Sequence, residues 1–153
     1  MSVEKKLGKQ FESDFQAILD VLKTKHRMTY VRLYDTTSAQ GKYLPEQPGD
    51  YIVSAKGLGY LIECKASNKY RSLKSCLSSA VSTGQAASMR LWHRSQSPCY
   101  FIFLDNVGQM IEIWEGNLVG EHRAEGTPLP EDGYEVKVPA IMFKEAVISL
   151  FGL

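Results

Sequence analysis

No apolar run in the 153-residue chain approaches the roughly 20 residues that a bilayer-spanning helix requires. The opening residues, Met1-Ser2-Val3-Glu4-Lys5-Lys6, lack the apolar core of a secretion signal. Cysteine is scarce. Cys64, Cys76 and Cys99 cannot all pair, and none belongs to a C-x-x-C arrangement. His26, His93 and His122 do not supplement them at zinc-ligand spacing. A disulfide framework and a structural zinc site are therefore not expected, and the thiols read as buried groups in a reducing compartment. Internal repeats and low-complexity tracts are absent as well. What remains, 44% hydrophobic and 23% charged residues, is ordinary for a globular chain. The expectation is one domain spanning residues 1–153, cytoplasmic, with no membrane partner and no small-molecule cofactor.

Net charge is also nearly missing, at +1, but its distribution is uneven. Residues 1–94 carry 15 Lys/Arg against 8 Asp/Glu, a balance of +7, and residues 95–153 carry 3 against 9, a balance of −6. A basic half is expected to face a polyanion and an acidic half to face away from it, unless the fold interleaves the two.

Leu7, Phe11, Phe15, Ile18 and Leu22 recur at three- and four-residue steps and predict a helix over 3–23. Glu12 falls on the margin of that stripe, and Gly8 one turn earlier leaves room for a close neighbour. Tyr30 to Tyr34 reads as a strand, and Asp35 to Pro48 as a loop. Tyr51-Ile52-Val53-Ser54 and Tyr60 to Lys65 form a hairpin around Lys56-Gly57-Leu58-Gly59. Residues 72–94 read as mostly helical with a break near Ser82-Thr83-Gly84, followed by strands at 99–104 and 110–114. Residues 115–138 read as an acidic loop with a short edge strand at 134–138. Pro139 suits the first turn of a closing helix through Leu150, with Ile141, Val147 and Leu150 among its apolar residues. The order α-β-β-β-α-β-β-α predicts an α/β fold, a mixed central β-sheet flanked by helices.

Chemistry concentrates between Pro48-Gly49-Asp50 and Glu63-Cys64-Lys65. Side chains alternate along a strand, so Glu63 and Lys65 share one face while Ile62 and Cys64 take the other. An ionised pair closing an apolar strand is costly to bury without partners, and is tolerable where the strand opens into a wet cleft or a metal site. Asp50 begins the neighbouring strand, so its carboxylate can converge on Glu63. Two carboxylates, the Cys64 backbone carbonyl and water match the hard oxygen ligands that Mg²⁺ takes, with Mn²⁺ as a substitute. Lys65 is placed to meet an attacking water or the phosphate oxygens.

P-G-D, a strand, a glycine turn and an apolar strand ending in E-x-K together resemble the signature of the PD-(D/E)xK, or restriction-endonuclease-like, nuclease superfamily. The resemblance covers roughly residues 5–115. Gly8-Lys9-Gln10-Phe11-Glu12 looks like the first helix of Holliday-junction resolvases in that superfamily, which implies Glu12 as a further carboxylate at the metal. Asp50-Tyr51 followed by Glu63-Cys64-Lys65 is similar in spacing to the RecU-type resolvases. Gly84-Gln85-Ala86-Ala87-Ser88-Met89 is similar to their H-Q-x-x-x-M helix start and implies Gln85 at the site. Ser82-Thr83-Gly84-Gln85 is equally an S-x-x-Q capping box, and both roles are compatible. One departure is the segment 35–48, much shorter than the stalk that RecU-type enzymes insert into the junction.

The resemblance implies a restriction-endonuclease-like core and a Mg²⁺-dependent endonuclease acting on branched DNA as a homodimer, in a bacterium or phage-infected host. Lys42, Lys56, Lys69, Arg71 and Lys74 are the candidate DNA-binding residues, and Tyr43 joins Lys42 as a partner for a distorted strand. Trp92 and Trp114 read as core or interface residues. Two other readings stand beside this one: a general, restriction-like or exonucleolytic enzyme on linear DNA, and a non-catalytic nucleic-acid-binding protein on the same fold.

Overall fold

A computed structural model describes residues 2–34 and 47–153. Its elements are α1 (Val3–Lys25), β1 (Met28–Arg32), β2 (Tyr51–Ala55) and β3 (Leu58–Ser67), then a 3-10 turn (Leu73–Cys76) leading into α2 (Leu77–Ala80). They continue with α3 (Thr83–Arg94), β4 (Cys99–Asp105), β5 (Met110–Glu115), α4 (Gly116–Glu125), β6 (Val136–Pro139), a second 3-10 turn (Ala140–Met142) and α5 (Phe143–Leu150). Six strands form one sheet in the order β1-β2-β3-β4-β5-β6. β3 and β4 run parallel and every other neighbouring pair is antiparallel, so the sheet is mixed, as expected.

Helices cover both faces. α1 begins at Ser2, whose side chain accepts the Lys5 N–H, and buries Phe11, Phe15, Leu19 and Leu22. These pack with Tyr51, Val53, Ile62, Cys64 and Ile102 from the sheet and Phe143 and Val147 from α5. The opposite face holds Leu61, Phe101, Phe103 and Trp114 against Ala86 and Met89 of α3 and Val119 of α4. Because both faces are covered, the centre of β3 is buried continuously from Tyr60 to Cys64 instead of alternating with solvent. Among the described residues no helix is long and apolar enough to cross a membrane.

Four sequence expectations change. β1 starts two residues earlier than expected, because buried Met28 pairs with Ala55 at the far end of β2. The acidic segment after β5 contains α4, where a loop was expected. Its N-terminus is capped by Glu115, which accepts the Asn117 and Leu118 N–H groups at 2.9 and 2.7 Å, and Gly126 ends it at φ 71°. Pro139 ends β6 rather than opening the last helix, and Ile141 lies exposed in the 3-10 turn that follows. Gly8 makes no close approach, since a Cβ there would meet nothing within 4 Å.

The close approach is at Gly120 of α4, where an added Cβ would lie 2.7 Å from the Ala86 backbone oxygen of α3. Gly120→Ala is expected to destabilise the fold by about 1–2 kcal/mol in chemical denaturation, since overpacking exceeds the gain in helix propensity. Gly8→Ala, with open space around it, is expected to stabilise by about 1 kcal/mol in the same measurement.

Candidate functional site

The site begins where β2 stops. Tyr51 is the first residue of β2 and pairs with Ile62, while β3 continues to Ser67 with only β4 beside it. Glycine at 49 lets the incoming chain lie against β3, because a Cβ there would stand 2.9 Å from Leu61 Cδ1 and 3.1 Å from the Ile62 oxygen. Asp50 donates its backbone N–H to the Ile62 oxygen at 2.9 Å, and its carboxylate oxygen Oδ2 accepts the Cys64 N–H at 2.8 Å. In an extended strand the N–H and C=O of one residue point to the same edge. The Cys64 carbonyl is therefore turned to the Asp50 side of β3.

Glu63 projects to the α3 face and is buried. Its Oε1 meets the Lys65 ammonium at 3.4 Å and accepts a hydrogen bond from Gln85 Nε2 at 3.0 Å. Gln85 completes the capping box and also reaches Glu63. Its backbone N–H reaches Ser82 Oγ at 3.0 Å and its Oε1 accepts the Ser82 N–H at 3.1 Å, while its amide nitrogen holds Glu63.

Glu12 enters from α1, on the other face. Arg32 anchors it, with the guanidinium 3.4 Å from Glu12 Oε2, 2.8 Å from the Tyr51 hydroxyl and 3.1 Å from Gln16 Oε1. The Tyr51 hydroxyl in turn lies within donating distance, 3.2 Å, of the Glu12 backbone oxygen. Arg32 and Gln16 were not among the candidates. The sequence signal for Arg32 is an arginine inside a strand of apolar and aromatic residues, but its partners depend on α1, β1 and β2 coming together.

The three carboxyl groups perturb one another. Burial, and then the Glu63 charge, raise Asp50 from 3.8 to about 7, against hydrogen bonding from Glu12 and from the Cys64 N–H. Burial raises Glu63 from 4.5 to about 7; the Lys65 charge opposes the rise and the Glu12 charge adds to it. Carboxyl groups this close hydrogen-bond one another only by retaining a proton, which is how crowded acids behave without a cation. Burial also pushes the Cys64 thiol well above its ordinary value. A thiolate is therefore not offered at this position.

Among the described residues, no group of three or more His, Cys, Asp and Glu side chains is arranged to hold a metal ion. The expected ligand set needs fewer side chains: Asp50, Glu63, the Cys64 carbonyl and water. That donor set fits a hard divalent ion, because a double positive charge offsets the burial that raises both carboxyl groups and the smaller repulsion from neighbouring acids. Glu63 must then share an oxygen now engaged by Lys65 and Gln85.

The candidate DNA-binding residues scatter. Lys69 follows β3 and lies exposed, its ammonium 5.2 Å from the centre of the Tyr70 ring. Arg71 pairs with buried Asp105 at 3.8 Å, and Lys74 with Glu131 at 3.5 Å, so both reach into the acidic half. Lys56 sits in the hairpin turn, roughly 20 Å from Asp50 at ~3.4 Å per residue, and is not brought to the site. Lys42 and Tyr43 lie outside the described residues. Trp114 is buried, and Trp92 is partly buried with its indole N–H on the Gly59 oxygen, as core roles require.

Comparison with known proteins shows that no protein-family model matches the chain and that no curated protein matches it.

The raised carboxyl groups predict a pH response with a definite sign. Between their ordinary values and about 7, the metal-free folded protein keeps protons that the unfolded chain has released, so stability falls as pH rises through that window. In chelator at about pH 8, Asp50→Asn is expected to be more stable than the parent by about 1–3 kcal/mol, and the gap is expected to close toward about pH 4. Thermal melts across pH check both; a gap independent of pH would mean that the carboxyl groups are not crowded.

Proposed function

We propose that this protein is a divalent-metal-dependent DNA nuclease that hydrolyses phosphodiester bonds, with Mg²⁺ held by Asp50, Glu63 and the Cys64 carbonyl. The observation that carries the reading is the meeting of Glu12, Asp50 and Glu63 from three elements, with Lys65 3.4 Å from Glu63. Carboxyl groups that burial raises toward neutrality, gathered in one place, mark functional sites more often than structural ones. The resemblance of Pro48-Gly49-Asp50 and Glu63-Cys64-Lys65 to the PD-(D/E)xK signature supports the same reading.

Each residue has a task in this reading. A divalent ion bound there supplies positive charge to the scissile phosphate and makes a coordinated water more acidic. Lys65 holds an ammonium beside the ligand Glu63, where it stabilises negative charge developing on the phosphate oxygens or orients the attacking water. Gln85 fixes the Glu63 carboxylate from α3, and Arg32 fixes Glu12 from β1. Held from both sides, the acids need little reorganisation when substrate arrives.

The finer proposal is a restriction-endonuclease-like core acting as a homodimeric resolvase on branched DNA. It is supported by the contribution of α1 to the carboxyl cluster through Glu12.

Labelled four-way junction, flap, linear duplex and single-stranded DNA, each with Mg²⁺, Mn²⁺ or Ca²⁺, test these readings together. Mg²⁺ is expected to support cutting. Asp50→Asn and Lys65→Ala are expected to lose at least about 100-fold in rate, while Lys65→Ala still binds DNA. No cleavage of any DNA would sink the nuclease reading. Equal cleavage of linear duplex and four-way junction would move it from a resolvase to a general nuclease.

A further inference from the structure

A cleft of about 640 Å³ adjoins the carboxyl cluster, between the first turn of α1 and the segment that follows β3. Lys65 belongs to both places, lining the cleft while its ammonium meets Glu63. Two more lysines line it, Lys5 of α1 and Lys69. Its one carboxylate, Glu4, is engaged through Oε1 by the Asn68 N–H at 3.1 Å, a contact that ties α1 to the chain leaving β3. The balance along the cleft is positive.

The rim is held in place. Ser67, buried at the end of β3, accepts the N–H groups of Lys69 and Tyr70 at 3.0 and 2.8 Å. That turn fixes the backbone from which the Lys69 ammonium and the Tyr70 ring both project. Beneath them the cleft is floored by Ala66, Ala80 and Phe103.

We infer that this cleft binds one unpaired DNA strand beside the bond to be cut, with backbone phosphates on Lys5, Lys65 and Lys69 and a base against Tyr70. The inference rests on the nuclease reading for its choice of DNA. Cations alone suit any polyanion. A cationic rim over an aromatic ring and an apolar floor suits a strand whose base faces are free, since a duplex turns its phosphates outward and keeps those faces stacked. The volume falls within the ~300–1,000 Å³ of small-ligand clefts, which matches a short segment of one strand. The substrate class is therefore DNA with an unpaired strand at the site, as in a flap or an opened branch.

Fluorescence anisotropy in chelator, where no cutting occurs, separates binding from catalysis. The probe is a labelled oligothymidylate, with a blunt duplex of equal length for comparison. The parent is expected to bind the single strand more tightly. Lys5→Ala and Lys69→Ala are each expected to weaken binding about threefold to tenfold and to lower the salt slope of log Kd by about 0.7. Tyr70→Ala is expected to weaken binding about fivefold or more without changing that slope. Lys25→Ala, at the other end of α1, is expected to bind as the parent does, and melting curves establish that every variant is folded. Unchanged affinity and slope in both lysine variants, or duplex bound as tightly as single strand, overturns the inference. A parent that binds as described yet cuts no DNA with Mg²⁺ keeps the cleft and removes the nuclease reading. A parent that cuts, with variants that bind unchanged, does the reverse.

Discussion

Past Ile62, β3 runs on with no strand among the described residues on its β2 side, and the Cys64 N–H would face that edge unpaired by any of them but for Asp50. The Asp50 carboxylate accepts it at 2.8 Å, doing with a side chain what the next residue of β2 would have done with its backbone. This hydrogen bond places a carboxylate at the sheet edge, between a face covered by α1 and a face covered by α3. Glu12 can then approach from one side and Glu63 from the other. Without it, the two faces would each hold an isolated acid and there would be no cluster. Glycine at 49 is part of the same arrangement, since a larger residue there would push the chain off Leu61 and Ile62.

A second buried carboxylate shows what the cluster is not. Glu112 points into the α3 face, where its Oε1 accepts from Ser72 Oγ, the Leu73 N–H and the Trp114 indole at 3.0, 3.0 and 2.9 Å. Its Oε2 has no hydrogen bond but lies 3.7 Å from the Lys137 ammonium. Donors and a cation converge on one acid, as burial of a charge demands, and the result pins the start of the 3-10 turn after β3. At the Asp50–Glu63 cluster the acids converge on each other. Lys65, Gln85, Arg32 and the Cys64 N–H each engage one carboxylate, which leaves the repulsion between them in place. Glu112 is thus satisfied by donors and a cation, whereas the cluster keeps buried carboxyl groups raised to about 7.

What could be read from the sequence was local. The alternation along β3 puts Glu63 and Lys65 on one face whatever surrounds them, and Ser82 and Gln85 lie close enough in the chain to cap a helix by themselves. The mixed sheet with helices on both faces follows from hydrophobic period and element order. Long-range choices were less visible. α4 was hidden because Gly116 and Gly120, which read as loop residues, are contact points against Cys99, Met89 and Ala86. Arg32 looked like an ordinary strand residue because Glu12 lies 20 positions away from it. Lys56 looked near the site because it is six positions from Asp50 along the chain, yet a hairpin strand carries those six residues directly away from it.

The charge asymmetry illustrates the same limit. The fold partly interleaves the basic and acidic halves: Asp105 takes Arg71, Glu131 takes Lys74, and Glu112 takes Lys137. A broad basic face is not built from these residues, because each brings its countercharge with it. Lys5, Lys65 and Lys69 differ in lining one cleft beside the carboxyl cluster, with Glu4 as its one lining carboxylate and Lys65 reaching Glu63 at 3.4 Å. Lys65 therefore belongs both to the cleft and, through its contact with Glu63, to the carboxyl cluster. A change of charge at Glu63 is thereby felt in the cleft through a single ammonium.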